Sequence, residues 1–144
     1  IQIATAYAII SNGGYKINPT LLKKIKKFKK NKILNEDVSN EINSILRKIV
    51  STKEGTANLA NINGYEVGGK TGTAQVYNLD KGKTGKKSLQ DHALFISFAP
   101  FESPEIVVSV IVDNGGSGSA VAAPIARDII NFYFENIKSK VAMQ

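Results

Sequence analysis

Four consecutive residues, Lys70-Thr71-Gly72-Thr73, gather the groups in this 144-residue sequence best suited to meeting a ligand: an ammonium, two hydroxyls and bare backbone. They sit within Tyr65 to Tyr77, YEVGGKTGTAQVY, where Val67, Thr71, Thr73, Val76 and Tyr77 supply the β-branched and aromatic side chains that pack well on a pleated surface. A strand is the expected structure. Its two-residue period sends Lys70, Gly72 and Ala74 to one face and Thr71, Thr73 and Gln75 to the other, a polar mixture where a buried strand would carry Val and Ile. That composition fits a strand edge that meets a ligand. Gly68, Gly69 and Gly72 weaken a strand interior, so they mark close approach by another backbone or a ligand, or else a bulge or turn.

Competing patterns fall on the same residues. Gly64, Gly69, Lys70 and Thr71 satisfy G-x-x-x-x-G-K-[ST], the phosphate loop of nucleotide enzymes. That loop needs a buried strand before it and a helix after it, whose first amides hold the phosphates. Neither neighbour fits, because Asn58 to Asn63 is polar, Thr73 to Tyr77 reads as strand, and Glu66 would place a carboxylate in the cradle. A second tripeptide, Lys83-Thr84-Gly85, lacks flanking apolar alternation and is what chance gives in a lysine-rich segment. A dinucleotide pattern starting at Gly116 fails because Val121 takes its last glycine position. His92, after Asp91 at the start of a strand, could be catalytic, yet with no serine motif nearby a structural or surface role is the plainer account.

The elements that must position these residues follow from patterning. Hydrophobic content of 42% suffices for a core within one domain or part of one. The absence of cysteine excludes thiol catalysis and disulfides, and a single histidine excludes a multi-histidine metal centre, so no metal or cofactor is expected. No apolar run approaches the roughly 20 residues needed to span a bilayer. The net charge of +7 is almost wholly lysine, with clusters at Lys23 to Lys32 and Lys81 to Lys87. Arg47 and Arg127 are the only arginines and Phe28 the only aromatic in the first cluster, which argues against nucleic acid; a solvated lysine face or a membrane surface remains.

In chain order, Ile1 to Ser11 reads as a buried helix stopped by Asn12-Gly13-Gly14; its uncapped start implies that the chain begins inside a larger domain. Asn35 to Ser51 is an amphipathic helix with Asn35 as cap, Glu36 and Asp37 at the positive end of the dipole, and an apolar stripe of Val38, Ile42, Ile45, Leu46, Ile49 and Val50; its Ser, Asn and Glu positions should face water. After the central strand and a charged loop at Asn78 to Gln90, His92 to Ala99 and Ile106 to Asp113 read as a hairpin, giving a three-stranded meander. Gly115 to Ser119 leads into a helix over Val121 to Ile137, with Pro124 in or near its first turn and Val121, Ile125, Ile129, Phe132, Tyr133 and Ile137 on one stripe. Frayed chain is expected from Lys138 onward. The fold class is α+β, helices packed on an antiparallel sheet.

Lys-Thr-Gly on a strand is also one of three elements of the active-site serine penicillin-recognising enzymes, the others being S-x-x-K and S-x-N. GGKTGTAQV, DHALFISFAP and VDNGGSGSAVAAPIAR, with IATAYAIISNGG and EGTA upstream, resemble the C-terminal half of the transpeptidase domain of class B penicillin-binding proteins. DHALF and NGG…VAAPIAR most resemble the elongation-specific branch, penicillin-binding protein 2, rather than the septal one. The likeness runs along nearly the whole chain, apart from the Lys23 to Lys32 and Lys81 to Lys87 regions.

The resemblance implies that residues 1–144 are the C-terminal portion of one transpeptidase domain. The family cross-links peptidoglycan by acylating a serine with the D-Ala-D-Ala end of a stem peptide and passing the acyl group to an amine; β-lactams acylate the same serine. Residue by residue, the likeness gives Thr71 and Thr73 hydroxyls to the terminal carboxylate, Lys70 a positive potential and a link to the S-x-N serine, Gly72 room for the peptide, and the Thr73 amide a place in the oxyanion hole. It also implies an N-terminal membrane anchor outside this chain, a domain facing the periplasm from the bacterial inner membrane, and a glycosyltransferase of the elongation machinery as partner. The sequence departs from the family pattern in holding no S-x-x-K and no S-x-N, so the nucleophile and its base are expected upstream of Ile1 and this chain alone is expected to be inert. A β-lactam sensor, a polyanion-binding module and a β-lactamase are the other readings; they differ in upstream motifs and in the lifetime of an acyl adduct.

Overall fold

The computed structural model describes residues 1–22, 31–75 and 90–138. Most of the two lysine clusters, the second Lys-Thr-Gly, Val76 and Tyr77, nearly all of the charged loop, and the tail after Lys138 lie outside the described residues. The elements are α1 (Gln2–Ser11), α2 (Glu36–Ser51), β1 (Gly68–Ala74), β2 (His92–Ala99), β3 (Ile106–Val112) and α3 (Ala123–Phe132). A short 3-10 turn at Asn58–Ala60 leads toward β1. The strands form one antiparallel sheet in the order β1-β2-β3, the expected meander, with Thr71 opposite Phe95 and Phe95 opposite Val110.

That register sorts the sheet into two faces. Ala93, Phe95, Val108 and Val110 share one face and join Val50, Val67, Ala122, Ala126 and Ile130 in the main core, beneath α2 and α3. Phe95 and Phe98 are almost wholly buried, and burial of a side chain of that size contributes about 2–3 kcal/mol each. On the opposite face, Ile3 and Tyr7 of α1 line a cleft with Leu94, Ile96 and Ser109. Among the described residues no helix is long and apolar enough to cross a membrane.

Local chemistry accounts for the element ends. Asn35 caps α2, its side-chain oxygen accepting the Asp37 amide at 2.8 Å. After α1, the Asn12 side chain accepts the Tyr15 amide at 2.8 Å and donates to the Tyr15 carbonyl at 2.9 Å, closing the turn from both sides. The central strand starts at Gly68, three residues later than the pattern implies. Tyr65 instead pairs with Ile62 in a tight turn, and the Glu66 carbonyl accepts the Phe101 amide, so these residues are engaged outside the sheet.

Each amphipathic helix buries a face that only partly matches its apolar stripe: Leu46 and Val50 of the α2 stripe are buried as expected, and Val121 and Tyr133 of the C-terminal stripe pack against the core, but other stripe residues are not buried. On α2, Ser39 is fully buried and Asn43 nearly so, while Val38 and Ile45 are exposed. Asn43 belongs inside because its side-chain amide donates to the Ile10 carbonyl, one of the carbonyls at the end of α1 that lack a partner within their own helix. Along α3 and the wide turns that flank it, Ala122, Ala123, Ala126, Ile130 and Phe134 are buried, whereas Ile125, Ile129, Phe132 and Ile137 are exposed, Phe132 by 58%. Alanine lets a helix backbone lie close to a sheet, and close packing there outweighs the larger side chains. The helical path also begins earlier than Val121: a wide turn at Gly118–Ala122 precedes α3, capped by Ser117, whose side-chain oxygen accepts the Ala120 amide at 3.2 Å. The Ala123 amide reaches back to Gly118, and Pro124, which has no N–H to give, opens the regular helix. A second wide turn carries the path from Tyr133 to Lys138.

Candidate active-site strand

Strand β1 presents the four candidate residues along a short edge. Lys70 and Thr73 are exposed, and Thr71 and Gly72 half-buried. The Lys70 ammonium donates to the Thr71 carbonyl at 2.8 Å. Residues after Lys70-Thr71 continue as strand through Ala74, so the helix that a phosphate loop requires does not follow.

Two of the three strand glycines serve the core rather than a ligand. A methyl group at Gly68 would enter the Phe98 ring, at 2.5 Å from its outermost carbon, and one at Gly69 would stand 2.7 Å from the Phe95 ring. Both glycines are buried, and the aromatic rings of β2 reach through the space that side chains would occupy. Gly72 meets only the Leu94 side chain, at 3.3 Å, so its neighbourhood is the more open.

Three supports hold β1 in place. Arg47 of α2 pairs with Glu66 at 3.0 Å just before the strand. Gly118, opening the C-terminal helical path, lies against the Gly72 backbone. Thr56, in the turn after α2, places its hydroxyl oxygen 2.9 Å from that of Thr71. Sequence reasoning missed Gly118 and Thr56 as contributors to the site. Both stand inside quoted segments, NGGSGSA and EGTA, but no local signal says that either touches β1.

Tyr7 of α1 lines the cleft beside Lys70 and Gly72. Burial pushes its phenol above the ordinary tyrosine value, so it remains a neutral donor. His92 has a structural occupation: its Nδ1 accepts the Asn114 amide at 3.0 Å and stands 3.5 Å from an Asp113 carboxylate oxygen, joining the start of β2 to the turn after β3. That acceptor role puts the proton of the neutral ring on Nε2.

Comparison with known proteins shows the family and the fold. The family described as the penicillin binding protein transpeptidase domain matches residues 1–131. Peptidoglycan D,D-transpeptidase MrdA of Haemophilus influenzae is 35% identical over 150 aligned residues, which cover 92% of this chain and 23% of that protein. Among solved structures, Pseudomonas aeruginosa PBP2 in complex with WCK 5153 superposes with a TM-score of 0.76 at 30% identity, covering 94% of this chain and 30% of that one. Penicillin-binding protein A of Mycobacterium tuberculosis, a ceftriaxone acyl-enzyme complex, superposes with a TM-score of 0.68 at 28% identity, covering 89% of this chain and 30% of that one. The family match takes in α1, α2, the whole sheet and all but the last residue of α3, and the chain therefore belongs to the penicillin-binding protein transpeptidase family, with the penicillin-binding and β-lactamase-like fold.

Proposed function

We propose that this chain is the Lys-Thr-Gly-bearing portion of a serine-type peptidoglycan D,D-transpeptidase, and that the outer edge of β1 is where the stem peptide lies. The observation that carries the reading is that edge: among the described strands β1 pairs with β2 alone, and Lys70 and Thr73 stand exposed along it. Alternate residues of an edge strand send N–H and C=O groups outward, so an extended peptide gains main-chain hydrogen bonds by adding as a further strand. The Thr71 and Thr73 hydroxyls donate to the terminal carboxylate, and Lys70 supplies positive charge near it.

The serine nucleophile, the lysine of its S-x-x-K and the S-x-N serine come from residues outside these 144, since the sequence holds neither pattern. The serine oxygen attacks the carbonyl carbon of the D-Ala-D-Ala bond while its proton passes to the base. The tetrahedral oxyanion rests on the Thr73 amide and the nucleophile's own amide; removing one such donor typically costs about 100- to 1000-fold in rate. The terminal D-Ala leaves as an amine carrying the proton. An amine of a second strand then attacks the ester, and the serine recovers its proton. A β-lactam follows the first half of this path, its ring amide opening onto the serine; the ceftriaxone acyl-enzyme of the mycobacterial neighbour supports that part. By its family resemblance we infer a longer protein anchored in the inner membrane, with this portion in the periplasm and a membrane glycosyltransferase of the elongation machinery as partner; the name of the MrdA relative supports the peptidoglycan D,D-transpeptidase part of that reading.

The test is intact-mass analysis after benzylpenicillin treatment of the protein extended upstream through its natural reading frame, with Lys70→Ala beside it. A long-lived adduct on the serine of an S-x-x-K, formed more slowly by Lys70→Ala, is expected, and none on the 144-residue chain alone. A rapidly hydrolysed adduct would indicate a β-lactamase instead. A folded, extended protein that takes no adduct would be a non-catalytic binding module, and the transpeptidase reading would be withdrawn.

A further inference from the structure

The Thr56 and Thr71 hydroxyl oxygens lie 2.9 Å apart, joining the turn after α2 to the middle of the Lys-Thr-Gly strand. A hydroxyl has one proton and two lone pairs, so only one of the two protons can occupy this bond. If Thr71 donates, it turns lone pairs toward the strand edge, and a carboxylate there is repelled. If Thr56 donates, the Thr71 proton is free to point along the edge. We propose that Thr56 is a positioning residue for carboxylate recognition: it donates to Thr71 Oγ1 and so commits the Thr71 proton to the terminal carboxylate of a stem peptide or β-lactam. The proposal rests on the transpeptidase reading above. It names a residue which that reading does not include.

The local structure is built to hold Thr56 still. The Gly55 amide donates to the Thr52 carbonyl and the Ala57 amide to the Ile49 carbonyl, both at 3.1 Å, while the Thr52 hydroxyl donates to the Lys48 carbonyl at 3.0 Å. The turn thereby takes up carbonyls at the end of α2 that have no partner within the helix. Gly55 lies so close to the Ile49 and Lys48 carbonyls that any side chain there would collide with them. Ala57 is fully buried, anchoring the far side of the turn in the main core. Thr56 itself is exposed between these anchors, and its branched side chain has few rotamers to choose from.

Exposure separates a recognition role from a packing role. Removing the Thr56 hydroxyl opens no cavity and strands no buried polar group, so stability has little reason to change. Recognition has reason to change, because a chain of hydroxyls ending on an anion polarises each bond in turn, and the first donor sets the direction of the rest.

The experiment uses the protein in its full natural reading frame and measures the second-order acylation rate constant for benzylpenicillin and for its methyl ester, which lacks the carboxylate charge. Wild type, Thr56→Val, Thr56→Ser, Thr71→Val and the Thr56→Val/Thr71→Val double variant are compared. Thr56→Val is expected to slow acylation by the free acid about tenfold, the order of one hydrogen bond to a charged group, while leaving the ester nearly unaffected. Thr56→Ser, which keeps the hydroxyl, should restore most of the acid-to-ester preference. In the double variant, Thr56→Val should add nothing to Thr71→Val, because the effect passes through Thr71. An unchanged acid-to-ester ratio in Thr56→Val, or additive losses in the double variant, would overturn the proposal. If Thr71→Val also leaves the ratio untouched, the strand is not the carboxylate site and the underlying reading fails; if Thr71→Val lowers it and Thr56→Val does not, only the role of Thr56 falls.

Discussion

Gly118 lies directly on the backbone of Gly72: a methyl group added to Gly118 would stand 2.6 Å from the Gly72 carbonyl oxygen and 3.3 Å from its amide nitrogen, with the Leu94 carbonyl also inside contact distance. The start of the C-terminal helical path is therefore a backstop for the centre of the Lys-Thr-Gly strand. Gly118→Ala must displace either the helix start or β1. Overpacking of this kind costs about 1–3 kcal/mol, and a displacement near 1 Å at a reacting site can cost about 100-fold in rate. We expect the variant of the full-length protein to lose penicillin acylation well beyond what its loss of stability explains. Acylation kinetics beside chemical denaturation check this; an unchanged rate would show that Gly118 does not fix β1.

His92 should prove to be a structural residue. Its Nδ1 accepts the Asn114 amide, and a bond of that type contributes about 0.5–1.5 kcal/mol. His92→Ala is expected to lower stability by roughly that amount. Penicillin acylation should stay close to wild type at temperatures where both proteins are folded. A large fall in acylation with stability preserved would instead place His92 in the reaction.

The Asn35 cap gives a measure of α2 that is independent of the site. Replacing an N-cap Asn with Ala costs about 1 kcal/mol. We expect Asn35→Ala to show that loss in urea denaturation and Asn35→Asp to show little, since Asp can accept the Asp37 amide in the same way. Equal stability of Asn35→Ala and wild type would mean that packing alone holds the first turn.

The Lys32–Glu36 pair, 2.6 Å apart at the start of α2, should make stability depend on pH at both extremes. The hydrogen bond from Lys32, with its charge, holds the Glu36 carboxyl below the ordinary glutamate value, so this contribution is complete above that value and fades as pH falls through the lowered one. The same bond raises Lys32, whose contribution is complete below the ordinary lysine value and fades as pH rises through the raised one. Both groups are exposed, so the effect is small and weakened by salt. Denaturation midpoints of wild type and Glu36→Gln should converge in acid and separate near neutrality. A constant gap across pH would assign the difference to something other than this pair.

Much of the fold is legible because its signals are local. The apolar run of His92 to Ala99 and its link to Ile106 set the hairpin, and Asn35 before two carboxylates sets the start of α2; neither needs information from elsewhere in the chain. The identity of the candidate strand is legible for the same reason, since Lys70 to Thr73 are consecutive and strand geometry orders them without help.

What the sequence by itself determined, then, was which elements form, in what order, and which tetrapeptide carries the polar edge. Tertiary structure alone decided that Ser39 and Asn43 join Leu46 and Val50 on the buried face of α2, that Gly68 and Gly69 yield to the rings of Phe98 and Phe95, and that Thr56 and Gly118, one before β1 in the sequence and one after it, both reach that strand. Periodicity records where apolar residues recur along a helix but not how near the facing backbone comes. Where the C-terminal helical path approaches the sheet closely, Ala122 and Ala126 fit and Ile125 and Ile129 do not; where α2 meets the end of α1, the Ile10 carbonyl accepts the Asn43 side-chain amide and holds that residue inward. Those outcomes depend on distances between segments far apart in sequence, which come into being only when the chain closes on itself.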